Sequence, residues 1–505
     1  MKKLMKLGLG LSILALTACA NNAGKDQDDQ VDIVTTFYPV YEFTKQVAGD
    51  EANVELLIPA GTEVHGFEPS AKNVASIQEA DVFVYENENM ETWVPELLES
   101  VDTDKVGVIK ATEGMLLLPG SEEEEHDHDH DHGEEGHHHA YDPHVWLSPS
   151  RSIKLVESIR DGLVEKYPDK KEAFEENAAT YIEKLEALDK EYTDTLSVAK
   201  QKYFVTQHTA FAYLALDYGL KQVSITGVSA DEDPTAARLA ELTEYIKQYG
   251  IKYIYFEENA SKSLAETLAK EAGVHLEVLN PLESLTDEAM KEGADYISVM
   301  QDNLKALEKT TSQPGSEILP EEGEAAKTVY QGYFEDSDVK DRTLSDYAGE
   351  WQSVYPYLQD GTFDQVWDYK AKLTGSMTAA EYKAYYDTGY KTDVDQINID
   401  DKTMEFVVNG ESHKYTYKYV GYKILTYKKG NRGVRFLFEA TDADAGNYKY
   451  VQFSDHNIAP VKTGHFHIFF GGESQEKLFE EMENWPTYYP VGLTGMEIAQ
   501  EMLAH

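Results

Sequence analysis

The feature that most constrains the fold is a regular alternation of short β-branched segments and helical patterns in residues 31–310. The strand-like segments are Val31–Thr36, Val54–Ile58, Val82–Tyr85, Val106–Ile109, Tyr203–Thr206, Val223–Ile225, Tyr253–Phe256 and Leu276–Leu279. Helical patterns separate them, for example Ala71–Glu79 and Ser263–Ala272. Strands separated by helices pair in parallel, so the pattern predicts an α/β domain with two lobes, about residues 31–147 and 201–310.

The segment between the two lobes predicts a long connecting helix. Ser148 can cap a helix, and Pro149 suits its first turn. From Phe174 to Leu188, apolar side chains recur at the helical period and form one stripe. We expect one long helix over about residues 149–200 that joins the lobes, with an interruption at Pro168.

The composition changes after residue 310. Residues 311–326 combine proline, glycine and glutamate without periodicity, which is typical of a linker. Residues 327–505 are rich in tyrosine and in short strand patterns, and the dipeptide Asn409-Gly410 between two of them is a strong hairpin signal. Helices are expected at Asp341–Leu358 and Ala379–Asp387. These patterns predict a small antiparallel β-barrel with flanking helices.

Residues 121–139 form a segment in which histidines alternate with acidic residues. It contains seven histidines, His126, His128, His130, His132, His137, His138 and His139. Neutral imidazole is the commonest metal ligand, and His-rich tracts are typical of metal binding. One interpretation is a loop that collects metal ions. The other is a solvated loop without a ligand, which composition alone does not exclude.

The first 30 residues indicate export and attachment to a membrane. Residues 1–18 combine early lysines with an apolar core too short to span a bilayer, as in a signal peptide. They lead into Leu-Thr-Ala-Cys, which resembles a bacterial lipobox, so Cys19 is the expected lipidation site and residues 19–30 the tether. Cys19 is the only cysteine, so the sequence offers no disulfide and no cysteine-based zinc site.

The net charge restricts the partners of the chain. At −47, the charge disfavours nucleic acid and anionic lipid as electrostatic partners. It favours the attraction of cations, although acidic surfaces also simply confer solubility.

Four candidate metal ligands lie in loops of the first domain. His65 follows the second predicted strand, His208 follows the first strand of the second lobe, and Glu283 follows its last strand. His144 stands directly before the connecting helix. Ligand sites in α/β folds form beyond the carboxyl ends of parallel strands. Three imidazoles and one carboxylate make a tetrahedral set suited to zinc, although each side chain alone could be an ordinary solvated residue.

The C-terminal domain has histidines of its own. His465 and His467 are two apart on a predicted strand and therefore face the same side, and His456 ends the preceding strand. The three can form a site whose fourth position is water or a carboxylate. The alternative, that they decorate a strand without a metal, stays open because strand pairing is not visible in the sequence.

Three motifs of the first domain together resemble a known family. They are Gly-Thr-Glu-Val-His-Gly-Phe-Glu-Pro-Ser at 61–70, Asp-Pro-His-Val-Trp-Leu-Ser-Pro at 142–149 and Thr-Gln-His-Thr-Ala-Phe at 206–211. They are similar to motifs of the zinc-binding receptors of bacterial ABC importers, over about residues 31–307. The resemblance implies a rigid inter-lobe helix and the zinc ligands His65, His144, His208 and Glu283. Manganese receptors of this superfamily usually have a carboxylate where His208 stands, so imidazole there favours zinc.

Two motifs of the second domain resemble another family. Glu-Trp-Gln-Ser-Val-Tyr-Pro-Tyr at 350–357 and Gly-His-Phe-His-Ile at 464–468 are similar to ZinT-like zinc-trafficking proteins, whose fold is a lipocalin-like barrel. The match covers about residues 329–505. It implies a ZinT-like domain with a second zinc site at His456, His465 and His467.

The two resemblances together imply a receptor without catalytic activity. It would be lipid-anchored through Cys19 at the extracellular face of a bacterial cell membrane. It would capture Zn²⁺ and deliver it to a membrane ABC permease and its ATPase. The His-rich loop would collect zinc weakly, while His144 belongs to the tight site.

Three other functions remain as alternatives. A receptor for manganese or another divalent metal would share the fold of the first domain. An adhesin is conceivable for a lipid-anchored receptor, although extended adhesive repeats are absent from the sequence. A zinc-dependent enzyme in the barrel is the weakest alternative, because three imidazoles and a water can be catalytic, but neither His-Glu-x-x-His nor Gly-x-Ser-x-Gly occurs.

Overall fold

The computed structural model describes residues 30–120, 141–226, 235–257, 263–315, 328–427 and 430–504. The predicted signal peptide, Cys19, the tether, the His-rich loop and most of the predicted linker lie outside the described residues. Within those residues, no helix combines the length and the apolar character that crossing a bilayer requires.

The first lobe is a parallel four-stranded sheet covered by helices. Its strands are β1 (Val31–Thr35), β2 (Ala52–Leu56), β3 (Val82–Tyr85) and β4 (Gly107–Lys110), in the order β2-β1-β3-β4. Its helices are α1 (Tyr38–Ala48), α2 (Ala71–Glu79) and α3 (Val94–Leu98). Helix α2 begins at Ser70, whose hydroxyl accepts from the Asn73 N–H in a capping box.

The predicted connecting helix forms two helices rather than one. Helix α4 (Pro149–Lys166) ends before Pro168, and α5 (Lys171–Leu196) begins after a short 3₁₀ turn. Proline lacks the N–H that would continue the helix, which explains the break. Helix α4 packs on the first lobe, where Gly162 meets Ile109. The 26-residue α5 crosses between the lobes, because its side chains bond to the carbonyls of both Val47 and Met300. Helix α4 also contacts the second lobe, where Arg151 pairs with Asp217.

The second lobe repeats the sheet order of the first. Strands β5 (Tyr203–Thr206), β6 (Lys221–Ser224), β7 (Tyr253–Phe256) and β8 (His275–Val278) are parallel, in the order β6-β5-β7-β8. Its helices are α6 (Ala212–Asp217), α7 (Ala236–Gln248), α8 (Ser263–Ala272), α9 (Asp287–Lys291) and α10 (Tyr296–Thr311). Strand β5 is buried throughout and lies between β6 and β7. The loop after it therefore lies near the middle of the sheet edge formed by the carboxyl ends of the strands.

The C-terminal domain is a closed antiparallel barrel of eight strands. Around the barrel the order is β10-β11-β12-β13-β14-β15-β16-β9. The strands are β9 (Gly349–Ser353), β10 (Gln396–Ile399), β11 (Thr403–Val408), β12 (Glu411–Thr426), β13 (Arg432–Ala440), β14 (Tyr450–Ser454), β15 (Phe466–Gly471) and β16 (Thr487–Pro490). The helices are α11 (Tyr355–Gln359), α12 (Asp364–Thr374), α13 (Ala379–Tyr390), α14 (Gln475–Leu478) and α15 (Gly495–Ala504).

One predicted helix of this domain is wrong. Most of Asp341–Leu358 is not helical, because Gly349–Ser353 is the strand β9 that closes the barrel. Trp351 is buried in the barrel core and pairs with Ile397 of β10, and this burial outweighs the local helical pattern. The hairpin predicted at Asn409-Gly410 is confirmed, since both residues have positive φ as a two-residue hairpin turn requires.

Helices α12 and α15 hold the barrel against the first domain. The Gln500 side chain bonds to both the N–H and the carbonyl of Leu117, each at 2.8 Å. The Tyr369 hydroxyl accepts from Arg151 of α4 and donates to the Leu116 carbonyl at 2.7 Å. Lys372 reaches Asp217 of the second lobe at 3.0 Å. The C-terminal domain therefore contacts both lobes of the first domain.

Candidate metal centres

The first centre lies between the two lobes, at the carboxyl ends of their strands. His65 stands in the loop after β2, and His144 stands just before α4. His208 comes two residues after β5, and Glu283 lies in the loop after β8. The structure brings all four predicted residues together, each with one ligand atom within 4.8 Å of the others. The first lobe and its attached helix provide two of them, and the second lobe provides the other two.

The nitrogen and oxygen atoms of this cluster point at one another. His144 Nε2 lies 3.2 Å from His65 Nε2 and 3.4 Å from His208 Nε2. Glu283 Oε1 lies 3.2 Å from His208 Nε2, 3.6 Å from His144 Nε2 and 3.8 Å from His65 Nε2. His144 and His208 are fully buried, and the side chains of His65 and Glu283 are 13% and 12% exposed. Four Lewis bases at these separations surround a space suited to a cation.

Carboxylates fix the orientation of the two buried imidazoles. His144 Nδ1 donates to Asp142 Oδ1 at 2.8 Å, and Asp142 also accepts from the His144 backbone N–H. His208 Nδ1 donates to Glu257, which directly follows β7 next to β5. A carboxylate can only accept, so each ring in its neutral form carries its proton on Nδ1 and directs the Nε2 lone pair into the centre.

The same carboxylates change the protonation of the centre in the absence of a metal. Burial works against a charged His208, but the adjoining Glu257 and then Glu283 raise the pKa of His208 well above its usual 6.5. Burial also opposes a charged His144, and hydrogen bonds to Asp142 and Glu283 raise its pKa. Burial would raise the pKa of Glu283, but the three imidazoles hold it well below 4.5. The centre is thus built to hold positive charge beside Glu283.

The second centre lies on the outer face of the barrel. His465 and His467 flank the buried Phe466 at the start of β15, and His456 follows β14. The three ring centroids form a nearly equilateral triangle with sides of 5.8, 6.0 and 6.0 Å. One ligand atom from each of the three lies within 4.8 Å of the other two. The structure thus brings all three predicted residues together, in a more exposed setting than the first centre.

A strained turn positions His456. Its φ is 61°, which is uncommon for a residue other than glycine. The turn is fixed by the neighbouring Asp455, which forms a fully buried ion pair with Arg342 at 2.6 Å. The His456 ring stacks on Tyr330 at 4.3 Å, and its Nδ1 lies 3.3 Å from the Tyr330 carbonyl. The turn and the Tyr330 contacts thus fix the position of the His456 ring.

Neutral groups hold the other two imidazoles. His467 Nδ1 donates to the Thr487 hydroxyl at 2.7 Å, while that hydroxyl donates to the Trp485 carbonyl. The His465 ring stacks on Tyr489 at 4.9 Å. Burial, then the neighbouring His465 and His456 and the charge of Arg435, lower the pKa of His467 well below 6.5. This imidazole therefore stays neutral, as a metal ligand must be.

Four residues that orient the candidate ligands were not identified from the sequence. Asp142, Glu257, Thr487 and Asp455 orient the candidate ligands without belonging to either cluster. Asp142 could have been found from its place two residues before His144, and Glu257 from its place at the carboxyl end of a predicted strand. Thr487 and Asp455 have no such signal, because both act through strand pairing and a distant arginine.

Two family models match the chain, one for each domain. Residues 33–310 match the zinc-uptake complex component A family, described as periplasmic. Residues 325–505 match the ZinT (YodA) family, described as periplasmic, lipocalin-like and zinc-recruiting.

Similar proteins cover the chain from end to end. The zinc-binding lipoprotein AdcA of Streptococcus pneumoniae is 73% identical over 505 residues, all of both chains. The zinc-binding protein AdcA of Streptococcus pyogenes serotype M1 is 62% identical over 488 residues, 95% of each chain. The crystal structure of Zn(II)-bound AdcA from Streptococcus pneumoniae superposes with a TM-score of 0.86 at 72% identity, over 94% of this chain and 100% of that chain. On this likeness of sequence and fold, the chain belongs to the AdcA family of zinc-binding lipoproteins.

Proposed function

We propose that the chain is an extracellular receptor that captures Zn²⁺ at two sites and delivers it to a membrane ABC permease and its ATPase. The proposal is supported by the zinc-uptake description of the family that matches residues 33–310. It is also supported by the names of full-length relatives, which are zinc-binding proteins. Zinc is the cargo of such a receptor rather than a resident cofactor.

The first site takes His65, His144, His208 and Glu283 as its zinc ligands. The observation that carries this assignment is the state of Glu283. Its Oε1 is buried and faces three imidazole nitrogens within 3.8 Å. A buried carboxylate is costly unless its charge is compensated, and a divalent cation between the four groups removes that cost. Three nitrogen ligands and one oxygen ligand suit tetrahedral zinc better than manganese, which prefers oxygen.

The second site takes His456, His465 and His467 as zinc ligands on the barrel. The neutral state of His467 supports this assignment, because protons do not compete with the metal there.

The domains that go with the proposal are residues 31–310 and 327–505, joined by the linker 311–326. The His-rich loop, 121–139, serves as an auxiliary collector that binds several ions weakly.

Attachment to the membrane is assigned to Cys19. In this proposal residues 1–18 are removed, Cys19 carries the lipid, and residues 19–30 form the tether at the extracellular face. The relatives' designation as lipoproteins supports it. Cys19→Ser should release the protein from cells into the medium, and retention of the variant on the membrane fraction would contradict the anchor.

No catalytic role is assigned to either site. The first site has four protein ligands, which leaves no open position for substrate, as in structural rather than catalytic zinc sites. Ester and phosphoester hydrolysis by the zinc-loaded chain should equal that of the chelator-treated chain. A zinc-dependent difference that disappears in His467→Ala would establish an enzyme in the barrel.

The test of the two-site proposal is zinc stoichiometry after dialysis of the full chain against a weak chelator. The unaltered chain should retain two ions, His208→Ala and His467→Ala one each, and the double variant none. His275→Ala and His413→Ala are the matched controls, since both histidines lie outside the two clusters, and each should retain two. Retention of two ions by His208→Ala would overturn the first site.

A further inference from the structure

A cavity of about 700 Å³ adjoins the second centre on the outer face of the barrel. His456 and His467 form part of its wall, and Arg435, Phe469 and Trp485 line it further along. Its volume lies within the range of small-molecule sites, which is roughly 300–1,000 Å³. It lies outside the first domain and extends beyond the second zinc site, which occupies only one part of its wall.

The rim of the cavity is unusually apolar for a protein surface. Among the described residues, twelve large hydrophobic side chains are notably exposed, and five of them border this cavity: Val329, Tyr330, Tyr333, Tyr385 and Met482. Such a concentration marks a binding surface rather than random exposure. Aromatic rings dominate it, so a flat apolar body would find stacking partners there.

The cavity is also lined by a buried arginine, whose guanidinium lies 3.5 Å from the centre of the Phe469 ring and forms no direct ion pair within the described part of the chain. Arg435 is 3% exposed, and its guanidinium donates to the Leu478 and Glu481 carbonyls at 2.8 Å and to Gln452 at 3.2 Å. Among the described residues, no carboxylate lies within ion-pair distance of it. Burial lowers the pKa of Arg435 to about 10. An arginine in this setting attracts an anion.

Strand pairing places this cation beside the metal ligands. Ser454 of β14 pairs with His467 of β15, and Phe453 pairs with Phe436, so Arg435 stands in the same cross-strand row on the other side of Ser454. Two strand spacings separate Arg435 from His467, roughly 10 Å between backbones. Three neutral imidazoles leave the double charge of Zn²⁺ uncompensated, so a loaded site and Arg435 together make the cavity strongly positive.

We propose that this cavity binds a small carboxylate with an aromatic or imidazole body, whose carboxylate lies between the bound zinc and Arg435. Metal-chelating amino acids belong to this chemical class. The inference rests on the proposed second zinc site and extends it: the barrel would take zinc together with an organic anion. The aromatic rim holds the ring, and the zinc and Arg435 hold the charge.

The test uses cobalt(II) as a spectroscopic substitute for zinc in the full chain carrying His208→Ala, after removal of weakly held metal. Phenylacetate is the probe, and phenylacetamide, which keeps the shape but lacks the charge, is the matched control. Phenylacetate should change the visible absorption bands of cobalt at the second site, and phenylacetamide should not. Unchanged bands with phenylacetate, or equal changes with both compounds, would overturn the proposal. Absence of cobalt bands altogether would overturn the second zinc site itself. Failure of the zinc site is thereby distinguished from failure of the carboxylate proposal.

A pair of charge variants locates the effect. Met482 lies at the rim, 3.8 Å from the Arg435 guanidinium, so Met482→Glu places a carboxylate close to that guanidinium. This variant should weaken phenylacetate binding by roughly tenfold or more, as expected for a like charge at short range. Val420→Glu places the same charge on a barrel strand away from the cavity and should leave binding unchanged. Equal weakening by both variants would overturn the location.

Discussion

The two candidate metal centres use histidine in opposite ways. The first is buried, includes Glu283, and has both buried imidazoles held by carboxylates, Asp142 and Glu257. The second is partly exposed, has three imidazoles, and has Nδ1 atoms held by a carbonyl and a hydroxyl. A carboxylate next to an imidazole makes the imidazole a stronger metal ligand, but it also stabilises the protonated form of the ring. The first centre should thus bind zinc more tightly and respond more strongly to acid.

The supporting architecture differs as well. The ligands of the first centre come from two lobes, so separation of the lobes can remove His208 and Glu283 from His65. The ligands of the second centre come from one end of two paired strands in a closed barrel, which cannot separate without unfolding. A receptor that must release its cargo to a permease gains a release mechanism from the first arrangement. The arrangement of the second centre, on a barrel that does not open, suits the initial binding of zinc.

Loss of the Glu283 charge should have the largest effect. In Glu283→Gln the amide replaces the anionic ligand, and zinc affinity at the first centre should fall by more than about a hundredfold. This expectation follows because removal of a supporting partner alone typically costs about 10–100-fold. Competition with a chromophoric chelator, in chains that also carry His467→Ala, measures it. An unchanged affinity would show that Glu283 is not a ligand.

Loss of the Glu257 charge should have the next largest effect. Glu257→Gln keeps the shape but weakens the charged hydrogen bond to His208, so zinc affinity at the first centre should fall about 10–100-fold. The second centre should be unaffected in the same chain. Glu241→Gln, on the exposed face of α7, is the matched control. Equal losses in both variants would remove the special role of Glu257.

Acidification should separate the two centres. The raised pKa of His208 means that its imidazole holds a proton already above pH 6.5, so zinc affinity at the first centre should decline as the pH falls through that range. The pKa of His467 lies well below 6.5, so its imidazole stays neutral there and affinity at the second centre should decline only at lower pH. Zinc titrations of His467→Ala and His208→Ala between about pH 5 and pH 8 measure the two curves. Coincident curves would contradict the comparison.

Loss of the Thr487 hydroxyl should have the smallest effect. Thr487→Val removes the neutral acceptor of His467 while keeping the β-branched shape, and a neutral hydrogen bond contributes only about 1 kcal/mol. Zinc affinity at the second centre should fall by no more than about tenfold. Thr426→Val on β12 is the control. A loss as large as that of Glu257→Gln would mean that the two kinds of support are equivalent.

Much of the first centre could be predicted from the sequence because it follows local rules. His65, His208 and Glu283 lie just beyond strand ends, and parallel sheets bring such loops together. His465 and His467 of the barrel could also be predicted to act together, since a separation of two on a strand fixes their common face. His456 could be named from its place at the end of the preceding strand, but no local pattern shows the strained turn, held by Arg342, that brings it to the other two.

The errors in the fold have physical causes as well. Residues 149–200 have a helical period throughout, and the period does not show that Pro168 folds α4 back along α5. The segment before Leu358 has local helical character, but closure of the barrel pairs Gly349–Ser353 as a strand. Long-range pairing of this kind outweighs local propensity. The contacts of Tyr369 and Lys372 with the first domain depend on how whole domains meet, which sequence patterns do not record.

Anomalous diffraction at the zinc absorption edge, on crystals of the full chain grown with zinc, tests the two-centre account most directly. The account predicts one peak within bonding distance of Nε2 of His65, His144 and His208 and of Glu283 Oε1. It predicts a second peak bonded to His456, His465 and His467. A single peak, or a first peak that lies beyond bonding distance of Glu283, would contradict it.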